Sequence, residues 1–283
     1  MGIIQGTPWE IHDDIQVKRE DLSCPYPGPQ FSKVRGVWEQ LLRVAGPEAL
    51  VRSTVVGVVD SRHSKAGWGV AYLAKQLPWP VEVKLFYPTF VNESLGQLRE
   101  SQINAEKYGA TLMPLNGRVM SAVLFNQAKA ILAASNPTAY MFPNGLKLNQ
   151  SVDATAFELQ STLPEGWDDT NALWVVSASS ATIAAGVCKG LQNWFGRMPQ
   201  VLIHLGYSRP EHSVRECLTR HGVYVQNHIK IVDEGYKYAD FVTESCPFPC
   251  NPYYDLKAWK WIKAHRNDPE LKSKHIFFWN IGA

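Results

Sequence analysis

No stretch of this chain approaches the roughly 18 consecutive apolar residues that a membrane-spanning helix needs, so no membrane span is expected. Excess charge is also missing. The net charge is +2, which argues against a strongly basic nucleic-acid binder. Cysteine is sparse, odd in number and widely spread, at Cys24, Cys188, Cys217, Cys246 and Cys250. That distribution argues against a disulfide framework and for reduced thiols in a cytoplasmic setting. Cys246 and Cys250 flank Pro-Phe-Pro, but no second Cys/His pair has matching spacing and the histidines show no metal-ligand spacing, so no metal site is expected. Met1 to Asp14 lacks a basic region followed by an apolar run, so no secretory signal is expected. Internal repeats, low-complexity tracts and a proline-rich linker are likewise absent.

What the chain has is apolar bulk, 45% of 283 residues, ample for a large core or two modest lobes. Short apolar runs alternate with longer helical stretches. The valine-rich Arg52–Val59 reads as a buried strand, and Val81–Tyr87, Thr111–Pro114, Ala172–Ser177, Gln200–Gly206, Val223–Gln226 and His275–Trp279 as further strands. Helical spacing covers Gly67–Leu77, Asn92–Tyr108 (ended by Gly109), Ser121–Ser135, Ala181–Phe195, Ser213–His221 and Tyr254–His265. Strand-helix alternation predicts an α/β fold of mostly parallel sheets with helices on both faces. Two lobes are expected around a cleft, a smaller one over residues 48–150 and a larger one over 1–47 and 151–283. Trp259 and Trp261, with Lys257, Lys260, Lys263 and Arg266, make the Tyr254 helix basic and aromatic. A nucleic-acid face is conceivable there. A solvated helix packing its aromatics inward is the reading preferred.

Four segments carry chemistry. Lys33 stands in Phe31-Ser32-Lys33-Val34-Arg35-Gly36, about a dozen residues after the polar run Val17-Lys18-Arg19-Glu20-Asp21-Leu22, and opens a helical stretch. An amine that is to form a covalent adduct must be partly desolvated, and Phe31, Val34, Val37 and Trp38 supply apolar surroundings. Ser177-Ala178-Ser179-Ser180-Ala181-Thr182 follows an apolar strand and opens a helix. Small residues at such a turn let backbone amides approach a phosphate, and the helix dipole favours the anion; a serine N-cap before a core helix explains the same residues. Asp60-Ser61-Arg62-His63-Ser64-Lys65-Ala66-Gly67 has the same strand-to-helix placement. Near the C-terminus lie Tyr254-Asp255-Leu256-Lys257-Ala258 and Trp279-Asn280-Ile281-Gly282.

Together these segments resemble the pyridoxal-phosphate (PLP) enzymes of fold type II, the tryptophan-synthase-β-like family that includes threonine dehydratases, ammonia-lyases and cysteine synthases, with this chain a divergent member. In that family a "KREDL" segment precedes an "FK-x-RG" lysine that forms a Schiff base with PLP. The resemblance implies Lys33 as the catalytic, cofactor-linked lysine. Ser177, Ala178, Ser179, Ser180, Ala181 and Thr182 fall on the family's glycine-rich phosphate loop, with glycines replaced by Ala178, Ser180 and Ala181. Ser61, His63, Ser64 and Lys65 fall on the substrate-carboxylate loop "SGNHGQGVA", where Lys65 replaces the asparagine beside the cofactor's phenolic oxygen. A cation there would stabilise a phenolate or a carboxylate. Tyr254-Asp255-Leu256-Lys257-Ala258 looks like the "YD-x-KA" stretch of ammonia-lyase relatives. Asn280 is the nearest counterpart of the residue that bonds the pyridine nitrogen, and an uncharged partner would leave that nitrogen largely unprotonated.

The resemblance implies a PLP-dependent lyase acting on an amino acid or amino-acid-like small molecule, as a homodimer. β-Elimination or ammonia release is the default. Decarboxylation of a carrier-attached amino acid, even one on a modified nucleic-acid base, is an alternative, because PLP cleaves whichever α-bond stands perpendicular to its ring. A non-catalytic descendant that binds a ligand or partner is the third reading.

Overall fold

The computed structural model describes residues 6–46, 54–61, 63–89, 98–117, 120–168, 170–195, 199–224 and 227–282. The chain forms two units, one of Met1–Pro25, Gln30–Arg35 and Asn149–Ala283 and one of Tyr26–Pro29 and Gly36–Leu148. The division falls inside helix α1 (Val34–Val44), whereas the sequence suggested a boundary near residue 48, which lies outside the described residues.

In the larger unit, β1 (Trp9–His12) and β2 (Ile15–Arg19) form an antiparallel hairpin closed by Asp13 and Asp14. Both aspartates have positive φ, +50° and +61°, as a two-residue type I′ connection requires. Sequence reasoning missed this hairpin. The alternation of β2 is masked by Lys18 and Arg19, polar residues that the fold buries. After α5 (Asn149–Ser161) come β7 (Ala172–Ala178), α6 (Thr182–Phe195), β8 (Gln200–Leu205), α7 (Glu211–Arg220), β9 (Ile229–Val232), α8 (Asp255–His265) and β10 (His275–Asn280). The sheet order is β1-β2-β10-β7-β8-β9, parallel throughout except for β1. The smaller unit holds β3 (Thr54–Val59), α2 (Ala66–Lys75), β4 (Val81–Thr89), α3 (Glu100–Lys107), β5 (Thr111–Asn116), α4 (Ser121–Ser135) and β6 (Tyr140–Met141). Its parallel sheet runs β5-β4-β3-β6.

Two expected elements are corrected. Val223 and Tyr224 are not strand, and residues 225 and 226 lie outside the described residues. Val223 instead completes the C-cap of α7: its N–H donates to Leu218 O at 3.1 Å behind Gly222, whose φ is +77°. The strand is β9, six residues further on. The helix expected from Asn92 begins, within the described residues, only at Glu100, because Arg99 is extended and its N–H donates to Gln102 Oε1 at 2.8 Å. Residues 92–97 lie outside the described residues.

The strands of the larger sheet alternate with a period of two. Trp174, Val176, Ile203, Phe277 and Trp279 pack towards α5, α6 and α7. Leu173, Val175, Leu202, Ile276 and Phe278 pack with Trp259, Trp261 and Ile262 of α8, so that helix does turn its aromatics inward. On this second face the alternation ends in a polar tier at the strands' carboxyl ends: Arg19, Asn280, Ser177 and His204, one from each of four neighbouring strands.

Helix α5, unmarked by strong apolar spacing, lies almost in backbone contact with α6. A Cβ on Gly186 would stand 2.5 Å from Thr155 Cβ and 2.8 Å from Val152 O, and one on Gly190 would stand 2.9 Å from Ala156 O. Gly186→Ala is therefore expected to destabilise the chain by about 1–3 kcal/mol. Urea unfolding measures this, and a midpoint equal to wild type would show that the helices can part without cost.

Candidate active site

The polar run before Lys33 is not a solvated segment. Lys18 Nζ donates to Glu158 Oε1 (2.7 Å), Thr7 O (2.5 Å) and Thr162 Oγ1 (2.7 Å). Arg35 reaches Glu20 Oε2 at 2.8 Å and Glu158 Oε2 at 3.1 Å. Arg19 grips Asp21 with two bonds, 2.9 and 2.8 Å. All these groups are wholly or largely buried. Burial lowers the Lys18 pKa and raises that of Glu20. Burial also pushes Glu158 up, but Arg35 and Lys18 outweigh it and hold the carboxyl low. The network anchors the segment on both sides of Lys33.

The Lys33 loop is seated on the end of β10. Ser32 N–H donates to Ile281 O at 3.1 Å. Gly282 has φ +113°, and a Cβ there would lie 3.0 Å from Gln30 O and 3.1 Å from Asp21 Cα, so only glycine fits. Lys33, partly buried, donates from Nζ to Ser180 Oγ at 3.1 Å. The structure thus brings together residues 147 apart in sequence.

Ser180 Oγ lies 3.0 Å from Thr182 Oγ1. Ala181 adopts φ +63°, the left-handed conformation that a glycine would take freely, so the turn holds an alanine under strain. Arg209 holds Ser179 O and, from Nη2, Ser213 Oγ at 2.8 Å. The Tyr254 phenol bonds the Ser179 side chain, and burial pushes its pKa up. Ala178 and Ala181 are buried and line the turn. The first N–H groups of α6 lack intrahelical partners and point into this turn.

Asn280 is fully buried. Its amide donates to Asp21 Oδ1 (3.0 Å) and Pro249 O (2.8 Å), both acceptors, which fixes the amide's orientation and leaves Oδ1 without a partner. Asp255, at the start of α8, is more exceptional. Its carboxylate is fully buried; the Ile281 and Gly282 amides face it without closing a hydrogen bond to either oxygen. Burial drives its pKa well above the usual carboxylate range, with Asp21 and Cys246 adding to the rise. Ser32 Oγ and Ser177 Oγ are buried orphans as well. Sequence reasoning quoted Asp255 within its motif but gave it no role. An acidic first-turn residue is an ordinary helix signal, and only burial singles it out.

The other predicted residues gather in the smaller unit. Ser64 N–H donates to Ser61 O at 3.2 Å, and Ser64 Oγ accepts from Ala66 N at 3.0 Å. Lys65 lies with Nζ 6.0 Å from the Trp68 ring centroid, and burial lowers its pKa. His63 is half-buried in the same turn. Beneath them Asp60, fully buried, accepts from Gly67 N–H (2.8 Å) and Ser101 Oγ (3.0 Å). Burial raises its pKa from 3.8 to about 6. The folded chain then holds a proton that the unfolded chain releases, so stability falls as pH rises from about 4 to 6. Asp60→Asn, which can keep both hydrogen bonds, is expected to gain on wild type across that window, by about 3 kcal/mol at most. Parallel stability-pH curves for the two proteins would refute this.

These features test the fit of PLP. Its aldehyde and its phosphate arm stand on adjacent ring carbons, so an anchoring amine must adjoin an anion turn, as Lys33 adjoins Ser180. A ring nitrogen needs a polar partner in an otherwise dry place, and the buried Asp255 carboxyl, beside the Ile281 and Gly282 backbone on which the Lys33 loop is seated, is a candidate for one. The residues fit the group.

No protein-family model matches the chain. Among solved structures it resembles an ACC deaminase homologue (TM-score 0.78, 19% identity, 99% of this chain and 90% of that one). It also resembles a fungal L-serine ammonia-lyase from Rhizomucor miehei (TM-score 0.66, 16% identity, 99% and 94%). The fold is that of the fold-type II class. Along its length the chain is 41% identical, over 289 residues covering 99% of both sequences, to the glycyl-dTMP PLP-dependent decarboxylase of Pseudomonas phage M6. The chain belongs to the fold-type II family of pyridoxal-phosphate-dependent enzymes. Among the described residues no helix is long and apolar enough to cross a membrane, and no group of three or more His, Cys, Asp or Glu could hold a metal ion.

Proposed function

We propose that the chain decarboxylates a glycyl group carried on a thymidine nucleotide. The observation that carries a PLP reading is Lys33 Nζ on Ser180 Oγ at 3.1 Å, an amine seated on an anion-binding turn. The likeness to the phage decarboxylase supports decarboxylation over the elimination that the wider family suggests.

Lys33 would hold the cofactor covalently. The Ser179, Ser180 and Thr182 hydroxyls, with the N-terminus of α6, would hold its phosphate. Asp255 would face the ring nitrogen and share with it the proton that burial keeps on the carboxyl, which favours the protonated ring. This departs from the uncharged partner expected from sequence: Asn280 has spent both amide protons on Asp21 and Pro249, and it serves to position Asp21. When bound, PLP supplies an electron sink for the pair left at the substrate's α-carbon. Lys33, its amine free while substrate is bound, would be the group able to carry a proton to that carbon after carbon dioxide leaves. Its contact with Ser180 keeps it within one side chain of the phosphate turn.

The test is incubation of PLP-loaded protein with glycyl-dTMP, scored for carbon dioxide, ammonia and keto acid. One carbon dioxide per nucleotide, without ammonia, is expected. Ammonia without carbon dioxide would remove decarboxylation and restore the lyase of elimination type.

A further inference from the structure

Three segments that follow the carboxyl ends of β8 and β9 and precede α8 carry aromatic rings with no place in the core. Phe241 is 62% exposed and Tyr238 37%. Tyr207 and Tyr238 meet edge to face at 5.2 Å, and Phe241 and Tyr253 lie 6.1 Å apart at 55°. The segments are tied together by backbone bonds, Ser208 N–H to Tyr236 O at 2.6 Å and Val242 N–H to Pro252 O at 3.1 Å. They are also tied to the phosphate turn. Tyr254 donates to Tyr238 Oη at 3.4 Å and bonds Ser179, whose carbonyl Arg209 holds. Tyr238 thus stands one side chain from the turn that Lys33 touches, and Phe241 packs on Tyr253, the chain neighbour of Tyr254, within the same unit.

We propose that Tyr207, Tyr238, Phe241 and Tyr253 form a stacking platform for the thymine ring of the nucleotide that carries the glycyl group. The assignment rests on the decarboxylase reading for the identity of the ring; the platform itself rests on exposure and continuity with the turn. Every base presents a π-face, and exposed aromatics bind it without reading its edges. Charge points the same way. Residues 233–244 contain Asp233, Glu234, Asp240 and Glu244 against Lys237 alone, so this rim disfavours a run of phosphates. The occupant is a single thymidine nucleotide unit, its ring on Phe241.

The test uses PLP-loaded full-length protein and equilibrium dialysis of thymidine 5′-monophosphate. Phe241→Ala is expected to weaken binding about tenfold, and Phe241→Tyr to restore it. Cofactor absorbance and sedimentation of the variants should match wild type. A ringless control, 2-deoxyribose 5-phosphate, should compete poorly and respond equally to all variants. The platform is overturned by any of four results: Phe241→Ala binding as wild type does; the ringless control competing as well as the nucleotide; a thymidine oligonucleotide binding more tightly than the monophosphate with a steep salt dependence that Phe241→Ala leaves intact, which would assign backbone contacts; or a wild-type dimer that Phe241→Ala dissociates, which would assign the surface to a second copy. Carbon dioxide release from glycyl-dTMP is scored separately. Nucleotide binding that depends on Phe241, without decarboxylation, keeps the platform and removes the proposed reaction; the reverse keeps the reaction and removes the platform.

Discussion

Lys33→Ala is expected to abolish the violet absorbance of the PLP-loaded protein and to lower carbon dioxide release from glycyl-dTMP by about a thousandfold or more. Two losses combine in this variant. The covalent anchor disappears, and with it the group placed to move a proton at the substrate's α-carbon, a role that contributes about 10²–10⁴-fold in enzymes generally. Ser180 would remain in its turn, held by Thr182 at 3.0 Å, so binding of the phosphate should survive in part. Borohydride reduction of wild type, followed by peptide mass analysis, should locate the cofactor on the Phe31–Arg35 segment. A modified peptide elsewhere, or an alanine variant that decarboxylates at the wild-type rate, would dismiss Lys33.

The second large effect concerns stability. Glu158→Ala should destabilise the larger unit by about 3–5 kcal/mol, the cost of leaving buried charge unpaired. Glu158 holds two cations, Lys18 at 2.7 Å and Arg35 at 3.1 Å, and also accepts the Thr7 N–H at 2.8 Å. Lys18 has no access to water, and its ammonium lies 5.7 and 5.8 Å from the Trp9 and Trp279 ring centroids. Those rings offset only part of the lost charge. Glu158→Gln, which keeps the shape and an acceptor, should lose less. Urea unfolding followed by tryptophan fluorescence ranks the three proteins. A loss under about 1 kcal/mol for the alanine variant would mean that Lys18 sheds its proton or finds water instead.

Legibility in the sequence varied with the physical signal. Strands such as Ala172–Ala178 and the helix Ser121–Ser135 were visible because apolar periodicity reports burial directly. The β1-β2 hairpin was hidden because β2 carries Lys18 and Arg19, and a buried charge reads as an exposed one until its partner, 140 residues away for Lys18, is known. Helix α5 was hidden for a related reason: its inner face mixes Val152 and Leu159 with Ser151, Thr155 and Glu158, where Thr155 meets Gly186 and Glu158 pairs with buried cations, so apolar spacing is diluted. The same holds at the site. The Lys33 hexapeptide and the Ser177–Thr182 turn were found from their resemblance to family motifs, since local chemistry alone fits a surface lysine and a helix N-cap as well. Their juxtaposition was an expectation that the structure meets, with Lys33 Nζ 3.1 Å from Ser180 Oγ; the strained Ala181 and the buried Asp255 carboxyl were not legible.

By itself, then, the order of residues determined the α/β class, the absence of an apolar run long enough to span a membrane, and two of the reactive segments, since each depends on neighbours within a strand or a turn. Tertiary structure alone decided how closely the Lys33 amine meets its turn and which carboxylates are charged partners rather than surface groups. Those are properties of distance and dielectric, which exist only once segments 140 or more residues apart have been folded against one another.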